Sequence, residues 1–128
     1  MSTEKVFDII VEQKVRLTQE NVNDILESAF NGGITYWADD CEIVGERLGE
    51  FASEQISRGG KLRIHDGEED EWLELDIINF LEGFSKWAGE GYDRYHAIEN
   101  GKVDTGEIDG ECADCIIQFA LFGEIIYG

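Results

Sequence analysis

Carboxylates are the side chains with the clearest capacity for chemistry in this sequence. Its 128 residues include 29 Asp and Glu against 10 Lys and Arg, which gives a formal net charge of −19 at pH 7. Three acidic segments, 17–46, 66–81 and 103–128, contain neither Lys nor Arg. Grouped carboxylates can act as acid/base pairs, bind cations, or present negative charge as a phosphate backbone does. The residues around the carboxylates indicate which of these three roles fits the sequence.

Catalysis has little support in the sequence. Adjacent carboxylates such as Asp39-Asp40 can serve as an acid/base pair, but such pairs arise by chance in so acidic a chain. A nucleophile elbow, a P-loop and a dinucleotide-binding glycine motif are all absent from the sequence. His65 and His96 have no identifiable catalytic partner. We therefore predict that the chain is not an enzyme.

A zinc site is the first metal alternative. Cys112 and Cys115 form a Cys-x-x-Cys pair, and Cys41, His65 and His96 are the residues that could complete a set of four ligands. No second pair with ligand spacing exists, and the two paired cysteines fit one face of a helix. The more economical interpretation is that these thiols pack in the core as small apolar groups.

A calcium site is the second metal alternative. Five oxygen-bearing residues crowd a Gly-rich stretch, but their spacing does not match the EF-hand pattern of alternate ligands, a sharp Gly and a terminal Glu. These residues are Asn100, Asp104, Glu107, Asp109 and Glu111. We therefore predict neither a bound metal nor a cofactor.

The third possibility is an imitation of nucleic acid. A folded chain of 14.5 kDa exposes about 7,000 Å², or roughly 360 Å² for each net charge. B-DNA carries roughly one charge per 100 Å² of its surface. The carboxylates must therefore gather on one face if they are to resemble a duplex. The same net charge repels phosphate, so direct binding to nucleic acid is not expected.

Three groups of residues are the candidates for such a face, and a cationic nucleic-acid-binding protein is the predicted partner. The first group is Asp66, Glu68, Glu69, Asp70, Glu71 and Glu74, the second is Asp39, Asp40 and Glu42, and the third is Asp104, Glu107, Asp109 and Glu111. Such a partner would gain the counterion release that phosphates normally provide. An acidic surface that only keeps the protein in solution is the competing interpretation.

Aromatic residues leave room for a different class of function. A pocket that combined some of them with an arginine could sequester a small ligand or a signal nucleotide. The candidates are Tyr36, Trp37, Trp72, Trp87, Tyr92 and Tyr95, with Arg58, Arg63 or Arg94. An ordinary hydrophobic core accounts for the same aromatic residues.

The elements of the first half follow from periodicity and from end signals. Alternating apolar residues predict a strand over 5–18. Thr18 is a candidate N-cap for a helix that ends at Gly32-Gly33. Residues 34–37 fit a short strand or a buried turn, and helical spacing returns over 45–58.

The clearest local unit lies in the middle of the chain. Strand patterns at 61–65 and 72–75 flank an acidic turn and predict a β-hairpin. Asp76 is a candidate N-cap for the helix that follows. Residues 89–106 are polar and Gly-rich, and they predict the longest loop.

The last segment completes the predicted fold. Asp109 is a candidate N-cap for a final helix that runs to Phe122, and residues 124–127 fit a closing strand. Because the central strands form a hairpin, the elements predict an α+β fold. We expect a small antiparallel or mixed sheet of four to five strands with about four helices packed on it.

Length and composition predict one domain, 1–128, in the cytoplasm. The chain is too short for two ordinary domains. It has no signal-peptide pattern and no apolar run of the ~20 residues that a membrane helix needs, so no membrane association is expected. Three cysteines, an odd number, argue against a disulfide framework. Nothing in the sequence predicts the oligomeric state.

Four stretches form a distinctive set: 17–24 (LTQENVND), 32–37 (GGITYW), 57–60 (SRGG) and 120–123 (ALFG). Together they resemble a group of small uncharacterised proteins encoded by phages and mobile elements of gut-type bacteria. The resemblance covers about Leu17 to Gly128 and carries over no functional residue. It implies a setting in which small acidic proteins often inhibit host defence, as anti-CRISPR and anti-restriction proteins do. We therefore expect a phage-type inhibitor that acts as an acidic DNA mimic on a defence protein in the bacterial host cytoplasm.

Overall fold

The computed structural model describes residues 3–128 and has an α+β fold. The described residues form three α-helices and two small antiparallel sheets. The helices are α1 (Gln19–Ser28), α2 (Ile77–Gly89) and α3 (Gly110–Phe122), and the strands are β1 (Ala38–Val44), β2 (Lys61–Asp66), β3 (Glu71–Leu75), β4 (Ile98–Glu99) and β5 (Lys102–Val103). The α+β class is confirmed. The expected single sheet of four to five strands is instead divided into sheets of three and two, and there is one helix fewer than expected.

The larger sheet is built around the predicted hairpin, which is confirmed. Its strand order is β1-β2-β3, and both pairings are antiparallel. Alternation along β2 buries Leu62 and Ile64 completely and turns Arg63 and His65 toward the opposite face. One face of this sheet therefore closes the core, and the other presents polar side chains to solvent.

The three helices begin where the sequence predicts, because their N-caps depend on local chemistry. The side chain of Thr18 accepts a hydrogen bond from the N–H of Asn21 at 3.0 Å. Asp76 and Asp109 cap α2 and α3 in the same way, with distances of 2.9 and 2.8 Å. Each cap satisfies a backbone donor that the first helical turn leaves unpaired.

Helices α2 and α3 pack very closely at one glycine. Gly83 is buried in α2 opposite Ala120 of α3. A Cβ atom at position 83 would lie 2.5 Å from the backbone nitrogen of Ala120 and 2.7 Å from its Cβ. The absence of a side chain at this position therefore sets how closely the two helices approach.

The predicted helix over 45–58 is wrong, because a buried side chain holds this stretch in another conformation. Only a 3₁₀ turn forms there, at Ala52–Glu54. The amide of Gln55, which is buried, accepts from the N–H of Leu48 at 3.0 Å and donates to the carbonyl of Glu46 at 2.8 Å. These bonds replace the i to i−4 bonds that a helix would make.

The predicted strand over 5–18 is also wrong. The segment makes one isolated bridge, between Arg16 and Lys102, and the N–H of Arg16 donates to the carbonyl of Gly101 at 2.8 Å. Residues 3–15 form no strand. Alternation indicates that a segment can bury one face, but it does not supply the neighbouring strand that pairing requires.

The remaining differences have similar causes. Residues 124–127 do not form a strand, since the N–H groups of Ile126 and Tyr127 donate to the side chain of Gln118 at 2.8 and 2.9 Å. Residues 34–37 form a turn, one of the two predicted alternatives, but only Ile34 and Trp37 are buried, whereas Thr35 and Tyr36 are exposed. The following strand, β1, was not predicted because its acidic start resembles a loop. The 89–106 loop contains the short β4–β5 hairpin.

No helix within residues 3–128 has both the length and the apolar character needed to cross a membrane.

Candidate functional site

The tip of the β2–β3 hairpin is held in place by one buried carboxylate. The Oδ1 atom of Asp66 accepts from the N–H groups of Glu68 and Glu69 at 2.9 and 3.3 Å. Its Oδ2 atom accepts from the hydroxyl of Tyr127 at 2.6 Å. This bond raises the pKa of Tyr127 above its usual range, so the phenol remains a donor. Asp66 was predicted to face a partner, but it is fully buried and stabilises the turn instead.

A histidine ties the tip to the neighbouring strand. The Nδ1 atom of His65 lies 2.5 Å from Asp39 Oδ1, and its Nε2 atom lies 2.8 Å from Asp70 Oδ1. A bulge in β1 between Ala38 and Asp40 accompanies this contact. Carboxylates only accept, so both bonds form when the ring is doubly protonated. The hydrogen bonds to Asp39 and then to Asp70 raise the pKa of His65.

This arrangement predicts a pH-dependent contribution to stability. The folded-state pKa of His65 lies above the unfolded value of about 6.5, so its contribution is complete below about pH 6.5. The contribution is lost as the pH rises through the folded-state pKa. We expect the difference in Tm between wild type and His65→Gln to be larger at pH 6 than at pH 9. Thermal unfolding across this range checks the prediction, with His96→Gln as the control, and an unchanging difference contradicts it.

The solvent face of the sheet carries compensated charge. Arg63 contacts Glu42 at 2.5 Å, and its guanidinium lies 4.3 Å from the ring centroid of Trp72. Glu74 is the cross-strand neighbour of Arg63 on the other side. Glu42 and Glu74, both predicted partner residues, therefore lie beside a base and contribute less to a negative surface than their number suggests.

The uncompensated carboxylates of this region lie at the hairpin tip. Glu68, Glu69 and Glu71 are exposed, and within residues 3–128 they form no ion pair. We call these three residues the tip carboxylates. Asp40 is also exposed nearby, and its Oδ1 atom accepts from the N–H of Cys41. Of the first two predicted groups, the residues of the hairpin turn and Asp39 and Asp40 of β1 thus meet at one end of one sheet, whereas Glu42 and Glu74 lie farther along it beside Arg63.

The third predicted group lies on other elements. Asp104 caps the 3₁₀ turn Thr105–Glu107, and Glu107 is its last residue. The hydroxyl of Thr105 in this turn donates to Asp24 of α1 at 2.8 Å. Its other two members have structural partners. Asp109 caps α3, and its bond with the Cys112 N–H lowers its pKa. Glu111 contacts Arg94 at 2.7 Å. This group therefore adjoins α1 and is not part of the hairpin surface.

A groove of about 630 Å³ lies between these acidic regions. Tyr36, Tyr92 and Tyr127 contribute aromatic rings to its wall, and Glu111 and Asp114 contribute carboxylates. Since Tyr127 also contacts Asp66, the groove begins next to the turn that carries the tip. Aromatic faces and carboxylates together favour a cationic ligand and disfavour phosphate.

The carboxylate of Asp114 organises the wall of the groove, although the sequence did not predict a role for it. Asp114 is buried and accepts from the Tyr36 hydroxyl at 2.6 Å, the Trp37 indole at 2.8 Å and the Gln118 amide at 2.9 Å. Burial, followed by the bond to Asp114, raises the pKa of Tyr36 above its usual range. The signal that could have revealed the network is Asp114 and Gln118, four residues apart, on the apolar face of α3.

The cysteines and the largest aromatic residues have structural positions. Trp37 and Trp87 lie in the core, and Cys112 is buried there too. Burial raises the pKa of Cys112, and that of Cys41, to about 11. Within the described part of the chain, no three His, Cys, Asp or Glu residues come together as a group that could hold a metal ion.

Comparisons of the chain with protein-family models, with curated proteins and with solved structures find no match.

Proposed function

We propose that this protein is a non-enzymatic inhibitor that occupies the nucleic-acid groove of a cationic partner protein. The observation that carries the proposal is the hairpin tip, where Glu68, Glu69 and Glu71 are exposed on a turn braced by Asp66 and form no ion pair with any residue from 3 to 128. The resemblance to proteins of phages and mobile elements suggests the setting. The partner would then be a bacterial defence protein of the CRISPR or restriction class.

The electrostatics of the tip support this proposal over a purely solubilising surface. A carboxylate that already contacts Arg63 or Arg94 must leave that partner before it can attract another cation. The tip carboxylates have no such competitor among residues 3–128. Their turn is also fixed before binding, which lowers the conformational entropy lost on association. A cationic groove would gain the electrostatic free energy that phosphates normally provide.

The test is a competition on the immobilised protein. Lysate of a gut-type bacterium is applied at low salt, and bound proteins are eluted with duplex DNA. We expect DNA to release nucleic-acid-binding proteins. For a purified partner, we expect the combined substitution of Glu68, Glu69 and Glu71 by Gln to weaken binding by about 3- to 150-fold. Three exposed ion pairs of 0.2–1 kcal/mol each give an effect of this order.

A matched control separates the tip from total charge. Replacing Glu50, Glu82 and Glu90 by Gln removes the same number of negative charges from exposed positions outside the hairpin. We expect this control to bind as wild type does at 0.15 M salt, where the Debye length is about 8 Å. Equal loss in both variants, or bound proteins that DNA does not displace, would refute the proposal.

Binding of a small ligand in the groove between the tip and α3 is a second candidate function. Its tyrosines and its volume of about 630 Å³ favour this alternative. The carboxylates of Glu111 and Asp114 make a cationic ligand a better match than the signal nucleotide expected from the sequence. The variant at the tip distinguishes the two functions, since a ligand in the groove does not require the tip carboxylates.

A further inference from the structure

Residues 3–16, which we call the arm, expose an unusual amount of apolar surface. Val6, Phe7, Ile9, Ile10 and Val11 are between 73% and 98% exposed. Isolated apolar residues on a surface are ordinary, but five large ones within six positions are typical of an interaction segment. The root of the arm is fixed, because the N–H of Arg16 donates to Gly101. The arm therefore extends apolar side chains from a fixed point.

The arm has the sequence pattern of a strand that lacks a neighbour. Phe7, Ile9 and Val11 alternate on one face, and Val6 and Ile10 fall on the other. Residues 3–15 form no strand in the described chain. The features that predicted a strand therefore remain available for pairing with another molecule.

The charges of the arm identify a second copy of this chain as the partner. The arm contains three acidic and three basic residues, so the whole net charge of −19 lies elsewhere. A two-fold axis between antiparallel strands keeps each residue on the same face in both copies, so an axis at Ile9 places Ile9 opposite Ile9 and Phe7 opposite Val11. The same register places Lys14 of each arm opposite Glu4 of the other. We propose that the arm is a dimerisation strand that pairs with the arm of a second copy.

The size of this contact indicates a weak dimer. At roughly 100 Å² for each apolar side chain, two arms bury about 1,000 Å², the lower limit for a specific interface. A two-stranded ribbon has only marginal stability alone, so its apolar face must also pack against the folded parts of the two copies, residues 17–128 of each. The folded parts of the two copies carry the net negative charge and repel each other, and salt screens that repulsion. Added salt should strengthen the dimer, whereas it should weaken binding at the hairpin tip.

The first experiment measures mass by sedimentation equilibrium from about 1 to 200 µM at 0.02 and 0.15 M salt. We expect a concentration-dependent dimer that is stronger at 0.15 M salt, and a monomer for Ile9→Asp. The control is Ile78→Asp, which alters a side chain on α2 that is 67% exposed. Circular dichroism verifies that both variants fold. A wild-type monomer at 200 µM, or equal loss of dimer in both variants, would overturn the proposal.

The second experiment tests the register through charge exchange. Ile9→Asp alone and Ile9→Lys alone should each abolish the dimer, because each places two like charges opposite each other at the two-fold axis. An equimolar mixture of the two variants should form a mixed dimer, in which opposite charges face each other. A mixture that remains as weak as the single variants would overturn this arm–arm pairing. Neither experiment involves the tip carboxylates, so the results are independent of the proposed function.

Discussion

Replacing Gly83 by alanine is expected to lower the free energy of unfolding by about 2 kcal/mol. The new methyl group would lie 2.5 Å from the backbone nitrogen of Ala120. Backbone atoms of a packed helix cannot move aside as a flexible side chain can, so α2 and α3 must separate. Overpacking typically costs about 1–3 kcal/mol, and contact with backbone atoms belongs at the upper end of that range. The preference of a helix for alanine over glycine offsets about 1 kcal/mol of this cost. Denaturant unfolding followed by circular dichroism measures the change.

The same helix supplies the control. Gly89 is exposed at the end of α2, and a Cβ atom there would have no neighbour within 4 Å. Gly89→Ala should therefore raise the free energy of unfolding by about 0.5–1 kcal/mol, because alanine reduces the freedom of the unfolded chain. Changes of opposite sign in the free energy of unfolding at positions 83 and 89 would show that the contact between α2 and α3, and not helix propensity, determines the effect at Gly83. If both substitutions stabilised the protein, the prediction would be contradicted, because α2 and α3 would then tolerate a wider separation.

Replacing Asp114 by alanine is expected to cost about 3 kcal/mol. The substitution removes the acceptor for Tyr36, Trp37 and Gln118. The buried indole of Trp37 is left without an acceptor, which costs about 1–3 kcal/mol, and the loss of two further bonds to a carboxylate adds to this. The Tyr36 hydroxyl can recover a bond from water at the groove, and the Gln118 amide keeps its bond to the carbonyl of Tyr127 at 3.2 Å. Thermal and denaturant unfolding measure the loss. Fluorescence should also change, because the indole of Trp37 loses its partner.

Glu111→Ala is the matched comparison for Asp114→Ala. Glu111 lies three residues earlier on α3 and is exposed, so its substitution removes an equal charge without leaving a buried donor unpaired. The contact of Glu111 with Arg94 is an exposed ion pair, and its loss should change stability by less than about 1 kcal/mol. Similar losses at both positions would contradict a structural role for the network around Asp114.

Helices and strands whose ends depend on residues nearby in the sequence could be predicted from the sequence. Thr18, Asp76 and Asp109 cap the helices expected of them, and the β2–β3 hairpin follows from alternation around an acidic turn. The stretch 45–58 could not be predicted in this way. Its apolar spacing fits a helix, but bonds from the buried Gln55 side chain determine its backbone conformation. Helix propensity does not account for this competition between side-chain and backbone hydrogen bonds.

In the candidate site, too, features that depend on local sequence could be predicted and features that depend on distant contacts could not. The sequence identifies an acidic turn, yet it cannot distinguish the buried Asp66 from the exposed Glu68 beside it. That distinction depends on the hydroxyl of Tyr127, 61 residues away. The contact of His65 with Asp39 likewise spans 26 residues and accompanies a bulge in β1. Composition indicates how much charge the chain carries, whereas tertiary contacts decide which carboxylates remain unpaired.

The bond between Tyr127 and Asp66 also orders events during synthesis of the chain. A ribosome that adds about 5–20 residues per second produces residue 127 about 3–12 s after residue 66. Strands β2 and β3 can pair during that interval, but the turn between them lacks the phenol that holds Asp66. The hairpin therefore reaches its final arrangement only after nearly all of these 128 residues have been made, and an incomplete chain carries the charge of the tip without the bond that completes the support of Asp66.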